Sequence, residues 1–481
     1  DGFYFMQTLG RPLQAYLDCF SYKFGYTLER MGILRAISVA LIGVAIALFA
    51  DWLYSLRFSF WAALFIAGGV ILIPQLYDDA VITASNSLPI AILFTLIAYR
   101  CINKGHIDSA SQQINKSYIW YVVGGLFILL ALLSYPATTF FFATLILSKV
   151  LFRDFSQWHK TRHEVKVEIV LFFIICGLYF IGAFLNMRYH AQAPIPDQYR
   201  LDHPNLSLSE IFNRVIMLGN IFNMLWEIFP HGNLVLQGKI ILTVLFLGVL
   251  ASLLSLFIKY KKNEINKQKI KDLLQAAIVS SLLLLVASGF FLVMPDRDVY
   301  SRDVYSRLLF GTVSAGLILL IWCAYRVFVL FNDQFRYLLT VLFFGGFFLL
   351  EAHYANIYML DRAMFSENRM NRIREALADK IVGKERIRRI HFILRQPEYP
   401  YNRFFQVNGA LVQLLGHQTY ELRWCSLARG VPGEEKDHQK EMLTCLSKLP
   451  SDGIGVTYSY FDEPYTKTKG MIVIKNDKNQ I

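Results

Sequence analysis

Long apolar stretches separated by short polar segments make up most of this 481-residue chain. A helix needs about 20 apolar residues to cross a hydrocarbon core of roughly 30 Å, and ten nearly uncharged stretches approach that length. The pattern therefore predicts an α-helical polytopic membrane protein with about ten spans. The predicted spans are 31–50, 58–75, 80–99, 118–134, 137–152, 167–187, 239–258, 273–294, 308–329 and 335–352.

Two further segments flank this transmembrane domain of residues 31–352. In residues 1–30, aromatic and aliphatic side chains recur at near-helical spacing, which is typical of a helix lying on a membrane surface. After residue 353 charge rises and apolar runs shorten, and the segments "RRIHFIL", "IGVTYSYF" and "GMIVIK" read as strands between helical segments. Residues 353–481 are therefore predicted to form a small α/β domain, with a supporting or acceptor-binding role.

Lysine and arginine residues in the connecting segments predict the orientation, because short cytoplasmic loops are enriched in them. The richest segments, 153–166 and 259–271, fall on the same side of the ten-span count. That side is predicted to be the cytoplasm. Residues 1–30, the 188–238 segment and the C-terminal domain would then face outward.

The composition excludes an ordinary soluble enzyme, since 55% of the residues are hydrophobic and only 17% are charged. The net charge of +12 follows partly from the topology, so it does not indicate nucleic-acid binding. Ionisable residues inside the spans, such as Lys149 and Glu168, lie close to span ends. This placement argues against an ion-coupled transporter, which needs such groups near the bilayer midplane.

Acidic residues gather at the predicted outer ends of the spans. Asp1 opens the chain, and Asp78 and Asp79 stand in "QLYDDAVI". A carboxylate at the outer surface is suited to act as a general base for an attacking hydroxyl. The alternative is that each of these carboxylates is simply solvated.

Three arginines are candidate ligands of a phosphate, and a polar stripe is a candidate lining of a substrate groove. The stretch "DRDVYSRDVYSR" carries Arg297, Arg302 and Arg307, and a guanidinium group suits a lipid phosphate because it binds two oxygens at once. These arginines could equally pair with neighbouring aspartates. In the 188–238 segment, Asn220 and Glu227 belong to a polar stripe that lines a groove or faces water. His159 and His163 have a spacing that could ligate a metal, but they stand beside Arg and Lys in a predicted cytoplasmic loop, so we predict neither a metal nor another cofactor.

Four short motifs resemble the bacterial and phage glucosyltransferases that modify O-antigen and convert serotype, which are membrane glycosyltransferases of the GT-C type. The first is "DGFYFMQTLGRPL", an acidic and aromatic stretch followed by a Gly-Arg-Pro-Leu motif. The second is "SNSLPIAI", in which Asn86 stands where many members of the family carry Asp. The others are "LALLSYPATTFFFATL" and "HYANIYMLDRAMFSENRMNRIREAL". They are spread over nearly the whole chain.

The resemblance implies a GT-C-like fold with a first helix preceding Asp1. It implies an inverting transfer of a sugar, glucose above all, from a polyprenyl-phosphate donor to a hydroxyl of O-antigen or a related polysaccharide, with Asp1 as the base. Arg11 or an arginine of 297–307 would bind the donor phosphate. The expected substrate groove consists of Tyr4, Asn86, Tyr135, Asn220 and Glu227.

The resemblance also implies a setting. The chain would lie in the bacterial inner membrane with its active site and C-terminal domain on the periplasmic side. Another glycosyltransferase would make the donor at the cytoplasmic face, and a flippase would bring it outward. The alternatives are a flippase or transporter for lipid-linked sugars, a membrane scaffold, and a GT-C enzyme that transfers another sugar to lipid or protein.

Overall fold

The computed structural model describes residues 7, 10–24, 28–56, 58–72, 86–189, 209, 212–214, 234–261, 267–289 and 309–381, followed by four strands. The chain divides into two compact units, Asp1–Tyr358 and Met359–Ile481. The described helices are α1 (Pro12–Phe24), α2 (Leu28–Ser55), α3 (Phe60–Ile71), α4 (Ser87–Ala110), α5 (Ile114–Ser134), α6 (Pro136–Thr139), α7 (Phe141–Phe152), α8 (Trp158–Tyr189), α9 (Leu234–Lys261), α10 (Lys267–Ala287), α11 (Phe310–Phe328) and α12 (Asp333–Ile381).

Seven helices of the described chain are long and apolar enough to cross a bilayer, which supports a multi-pass helical membrane protein. Three other predicted spans, 58–75, 137–152 and 239–258, coincide there with shorter apolar stretches. Helix α9 itself runs for 28 residues, from Leu234 to Lys261, and residues 73–75 and 80–85 of the predicted spans lie outside the described residues. The number of about ten spans therefore stays a prediction. Within the predicted span 137–152, a break at Phe140 separates α6 from α7.

Among the seven span-length helices, α4 and α11 are the most buried. In each of them 61% of the most apolar window is buried inside the protein, whereas in α10 only 17% is buried. The outward face of α8 exposes Phe173, Ile174 and Leu178. Such a contiguous apolar surface suits contact with lipid chains.

Inside the bundle, four helices share one network of charged and polar side chains, which we call the Lys149 cluster. The ammonium group of Lys149 on α7 donates to Oδ1 of Asn103 at 2.8 Å, to Oε2 of Glu164 at 3.2 Å, and to Oε1 of Glu168. All three of its donor positions are therefore used. The cluster consists of Asn103 and His106 on α4, Tyr121 on α5, Lys149 on α7, Arg153 after α7, and Glu164 and Glu168 on α8.

Burial makes this cluster energetically sensitive. The side chains of Lys149 and Glu168 are both 0% exposed, and Arg153 donates to Oε2 of Glu164 at 2.5 Å. A buried charge is tolerated only when it is paired and hydrogen-bonded. The two cations and two carboxylates balance, so the cluster ties the same ends of α4, α5, α7 and α8 together.

The second unit contains a four-stranded parallel sheet in the order β2-β1-β3-β4. Its strands are β1 (Arg389–Leu394), β2 (Glu421–Ser426), β3 (Gly453–Ser459) and β4 (Met471–Lys475). Strands β1, β3 and β4 lie in the three segments that the sequence pattern marks as strands, whereas β2 was not predicted. Parallel neighbours require crossover connections, and the segments between these strands lie outside the described residues.

We predict that Lys149→Met lowers the free energy of unfolding by about 3–5 kcal/mol, because it leaves buried carboxylates without their cation. The matched control is Arg100→Met. Arg100 pairs with Asp51, but their side chains are 43% and 64% exposed, so the expected loss is below about 1 kcal/mol. Denaturant unfolding in detergent, followed by circular dichroism, measures both. Equal losses would contradict the assigned role of the cluster.

Candidate active site

The Gly-Arg-Pro motif begins with a glycine that the packing requires. Gly10 has a φ of 74°, a conformation that residues with a Cβ rarely adopt. A Cβ at this position would lie 2.6 Å from Cβ of Ala183 on α8. The nearby backbone is fixed as well, since the carbonyl of Gln7 accepts from Gly10 N at 2.9 Å and from Asn186 Nδ2 at 2.8 Å. Gln7 and Gly10 are therefore held against the end of α8.

Arg11 and Pro12 follow as the start of α1. The carbonyl of Arg11 accepts from the backbone N–H of Ala15 at 3.0 Å, which is the first hydrogen bond of the helix. Pro12 occupies the first helical position, where the missing N–H is not needed and its fixed φ suits the helix. The motif thus sets the position of the Arg11 side chain at the N-terminus of α1.

The guanidinium group of Arg11 lies over the ring of Tyr135, 5.3 Å from the ring centroid. An aromatic face attracts a cation, most strongly where water is partly excluded. Nε of Arg11 is buried and has no hydrogen-bond partner among the described residues. The arginine therefore keeps a donor that the described protein atoms do not use.

Tyr135 is held in place by the break between α5 and α6. Its backbone is extended, with φ −153° and ψ 93°, and its N–H donates to the carbonyl of Ala131 at 2.8 Å. Its own carbonyl accepts from the hydroxyl of Thr138 at 3.0 Å. Pro136 then begins α6. The Ser-Tyr-Pro turn that the sequence pattern marks between two spans is thus the element that places this ring under Arg11.

Two more buried polar atoms near Arg11 have no partner in the described part of the chain. They are Oε1 of Gln14, one turn further along α1, and Oη of Tyr179 on α8. The Tyr179 hydroxyl lies beside the residue before Arg11, since a Cβ on Gly10 would be 3.6 Å from Tyr179 Oη. Buried polar groups are nearly always hydrogen-bonded in native proteins. We call Arg11, Gln14, Tyr135 and Tyr179 the Arg11 site, because the unsatisfied atoms of Arg11, Gln14 and Tyr179 point to a polar ligand.

Asn86 lies at the beginning of α4 and has a structural partner. Its Oδ1 accepts from the hydroxyl of Ser38 on α2 at 2.6 Å, and both side chains are buried. Helix α1 packs against α2, α4 and α5. The hydrogen bond therefore joins two of the helices that support α1, and a groove-lining role for Asn86 stays a prediction.

Of the residues that the sequence singles out for the site, the structure describes three: Arg11 and Tyr135, which it brings together, and Asn86, which accepts a hydrogen bond from Ser38. The other nine lie outside the described residues: Asp1, Tyr4, Asp78, Asp79, Asn220, Glu227, Arg297, Arg302 and Arg307.

Sequence reasoning missed Gln14 and Tyr179. A single polar side chain in an apolar stretch is unremarkable, so neither gives a signal alone. The spacing of Cys176, Tyr179 and Ala183 was the available clue, because these buried residues form one face of α8 near its end.

Comparison with known proteins gives no match: no family model, no curated protein and no solved structure is similar to this chain.

We predict that Gly10→Ala lowers the free energy of unfolding by about 1–3 kcal/mol, because the new methyl group strains the backbone and meets Ala183. The control is Gly182→Ala on α8, where a Cβ has nothing within 4 Å. That change should be neutral or stabilise by up to about 1 kcal/mol, since alanine favours a helix over glycine. Thermal unfolding in detergent measures the sign of the stability change in both variants. A Gly10→Ala variant as stable as the wild type would contradict the packing described above.

Proposed function

We propose that this protein is a GT-C type membrane glycosyltransferase of the bacterial inner membrane. It transfers a sugar, glucose in the first instance, from a polyprenyl-phosphate donor to a hydroxyl of O-antigen or a related polysaccharide. The observation that carries the proposal is the Arg11 guanidinium, held at one end of a membrane bundle beside buried polar atoms without described partners. The resemblance of the four short motifs supports the same class.

The chemistry of the donor fits this placement. A polyprenyl phosphate carries its charge at the membrane surface while its chain stays among lipid tails. The two sides of helix α1 suit the two parts of the donor. The buried side carries Gln14 next to Arg11 and suits the phosphate, and the exposed side carries Tyr16 and Phe20 and suits the lipid chain. Aromatic side chains with this exposure suit the membrane interface. The phosphate would therefore approach Arg11 with its lipid chain along exposed apolar helix surface.

The proposed reaction is a single displacement with inversion. The acceptor hydroxyl forms a bond to the anomeric carbon and gives its proton to a carboxylate, for which Asp1 is the first candidate and Asp78 and Asp79 are the next. The bond from the anomeric carbon to the phosphate oxygen breaks, and the leaving polyprenyl phosphate gains one negative charge. Arg11 stabilises this charge, which is the kind of interaction that lowers an activation barrier most. Arg297, Arg302 and Arg307 are the alternative phosphate ligands.

The C-terminal unit and the orientation belong to the same proposal. The Arg11 site and the sheet-containing unit would both face the periplasm, with the 153–166 segment in the cytoplasm. Under this arrangement the donor comes from a separate cytoplasmic glycosyltransferase and a flippase. The acceptor polysaccharide would reach the Arg11 site from the periplasmic side.

A flippase or transporter for lipid-linked sugars is the second candidate, and the Lys149 cluster is the observation that favours it. Transporters place ionisable side chains inside the membrane and couple transport to them. In this cluster, however, Lys149 uses all its donors on protein partners, and the cluster lies toward one end of the helices. We therefore place the enzyme first.

We predict that the full chain in nanodiscs transfers glucose from a short-chain polyprenyl-phosphate glucose to a polysaccharide acceptor. Arg11→Gln should lower the rate by about 10²–10³-fold, as expected for loss of a donor to the developing charge. Asp1→Asn should lower it by about 10²–10⁴-fold through loss of a general base. The rate is measured as the incorporation of radiolabelled glucose from the donor into the polysaccharide.

The matched control is Arg30→Gln, which removes an exposed arginine on α2 that lies over Phe24. It should transfer at the wild-type rate. If the wild type moves the lipid-linked sugar across a vesicle membrane without breaking its glycosyl bond, the transporter replaces the enzyme. If transfer occurs but Arg11→Gln is fully active, the phosphate binds elsewhere.

A further inference from the structure

Glu168 stands out in the Lys149 cluster because its two carboxylate oxygens differ. Oε1 accepts from Lys149 and lies 3.1 Å from Nε2 of His106. Oε2 is buried and has no hydrogen-bond partner among the described residues. A carboxylate has about four acceptor positions, so Glu168 is incompletely satisfied although it is 0% exposed. Glu164 differs, because both Lys149 and Arg153 donate to it.

A hydrogen-bonded chain leads from Glu168 to a half-buried side chain. Nδ1 of His106 lies 2.9 Å from Oη of Tyr121, and Tyr121 is only partly buried. An ionised Glu168 can only accept, so Nε2 of His106 donates to it. A neutral His106 then has Nδ1 free to accept, and the Tyr121 hydroxyl donates. Each donor in the chain thus points toward Glu168.

The side chains around Glu168 and Lys149 come from five helices. Helix α4 supplies Tyr99, Asn103 and His106, and α5 supplies Tyr121. Lys149 and Arg153 come from α7 and its end, and Glu164 comes from α8. The ring of Trp52 on α2 lies 5.8 Å from the Lys149 ammonium. With His106 neutral, the two cations balance the two carboxylates. One added proton on Glu168 leaves the buried Lys149 and the partly exposed Arg153 with Glu164 as their only carboxylate in the cluster, and an unbalanced buried charge is costly.

We infer that the Lys149 cluster is a proton-binding site with Glu168 as the acceptor, and that proton binding loosens the packing of α4, α5 and α7 against α8 at this end of the bundle. A proton from water reaches Tyr121 as the tyrosine passes its own to Nδ1 of His106. Nε2 of His106 passes its proton to Glu168. No bond between heavy atoms changes, and the net result is one proton from solution on Glu168, with His106 in its other tautomer. This inference does not depend on the proposed function.

Two probes on one helix test the inference. Thr161 and Cys176 on α8 are both buried, and they lie on opposite sides of Glu168 along the helix. The first probe is Thr161→Cys with all six native cysteines replaced by serine, and the second keeps Cys176 alone. A maleimide labels each full-length variant in nanodiscs over a range of neutral to mildly acidic pH. Each rate is divided by the rate of the same denatured variant at the same pH.

The normalised labelling of Thr161→Cys should rise about tenfold per pH unit on acidification, because an open state that binds one more proton gains that factor. The Cys176 rate should stay constant. Adding Glu168→Gln, which keeps the size and removes the charge, should make Thr161→Cys label fast at neutral pH and abolish the pH response. After a jump to acidic pH, Tyr121→Phe should delay the rise in the labelling rate of Thr161→Cys without changing the labelling rate that is finally reached.

Labelling of Thr161→Cys that does not change with pH would overturn the inference, and so would a pH response that survives in Glu168→Gln. A rise that is not delayed in Tyr121→Phe would overturn the route through Tyr121. If Glu168→Gln alone does not fold, Lys149→Met combined with Glu168→Gln removes both charges together, and this variant must also have lost the pH response.

Discussion

The paired charges of Lys149, Glu164 and Glu168 are the interaction on which the packing of the first unit depends most. Apolar side chains alone give little preference for one helix arrangement in a membrane, because lipid chains are as apolar as leucine. A buried ammonium group has a strong preference, since it must meet its carboxylates. The cluster therefore fixes which faces of α4, α5, α7 and α8 point inward, and it fixes the positions of these helices relative to one another along their axes.

The same helices are organised differently at their other ends. On α8, Ala183 lies fifteen residues after Glu168, about 22 Å along the helix axis. There a close contact with Gly10 replaces ion pairing, and Arg11 is held over Tyr135. At the Lys149 end the buried cation uses all three of its donors on protein partners, whereas at the Arg11 end a buried guanidinium nitrogen has no described partner. This asymmetry is why we assign ligand binding to the Arg11 end.

Hydropathy predicted the fold class, because a span is a local property of about 20 consecutive residues. The same reasoning does not register a local interruption such as the break between α6 and α7 at Phe140, and the number of about ten spans stays a prediction. The strand β2 carries alternating polar and apolar residues in "ELRW", so its signal was present but short.

Arg11 was singled out through the resemblance of the Gly-Arg-Pro motif to a family motif, and its role as a phosphate ligand stays a prediction. The structure shows that the glycine and the proline of this motif meet local backbone demands. The pairing of Lys149 with Glu168 was not legible, since it depends on how separate helices pack. The contribution of Tyr179 was hidden for the same reason, because only the contact between Gly10 and Ala183 brings it near Arg11.

The central claim is that the Arg11 end binds a lipid phosphate, and equilibrium binding of a short-chain polyprenyl phosphate tests it most directly. Native mass spectrometry on the full chain, with Arg11→Gln and with Arg30→Gln as the matched control, gives the three dissociation constants. The account predicts that Arg11→Gln weakens binding by about tenfold or more, as expected for loss of a charge-assisted hydrogen bond, while Arg30→Gln binds like the wild type. Equal affinity in all three proteins would contradict it.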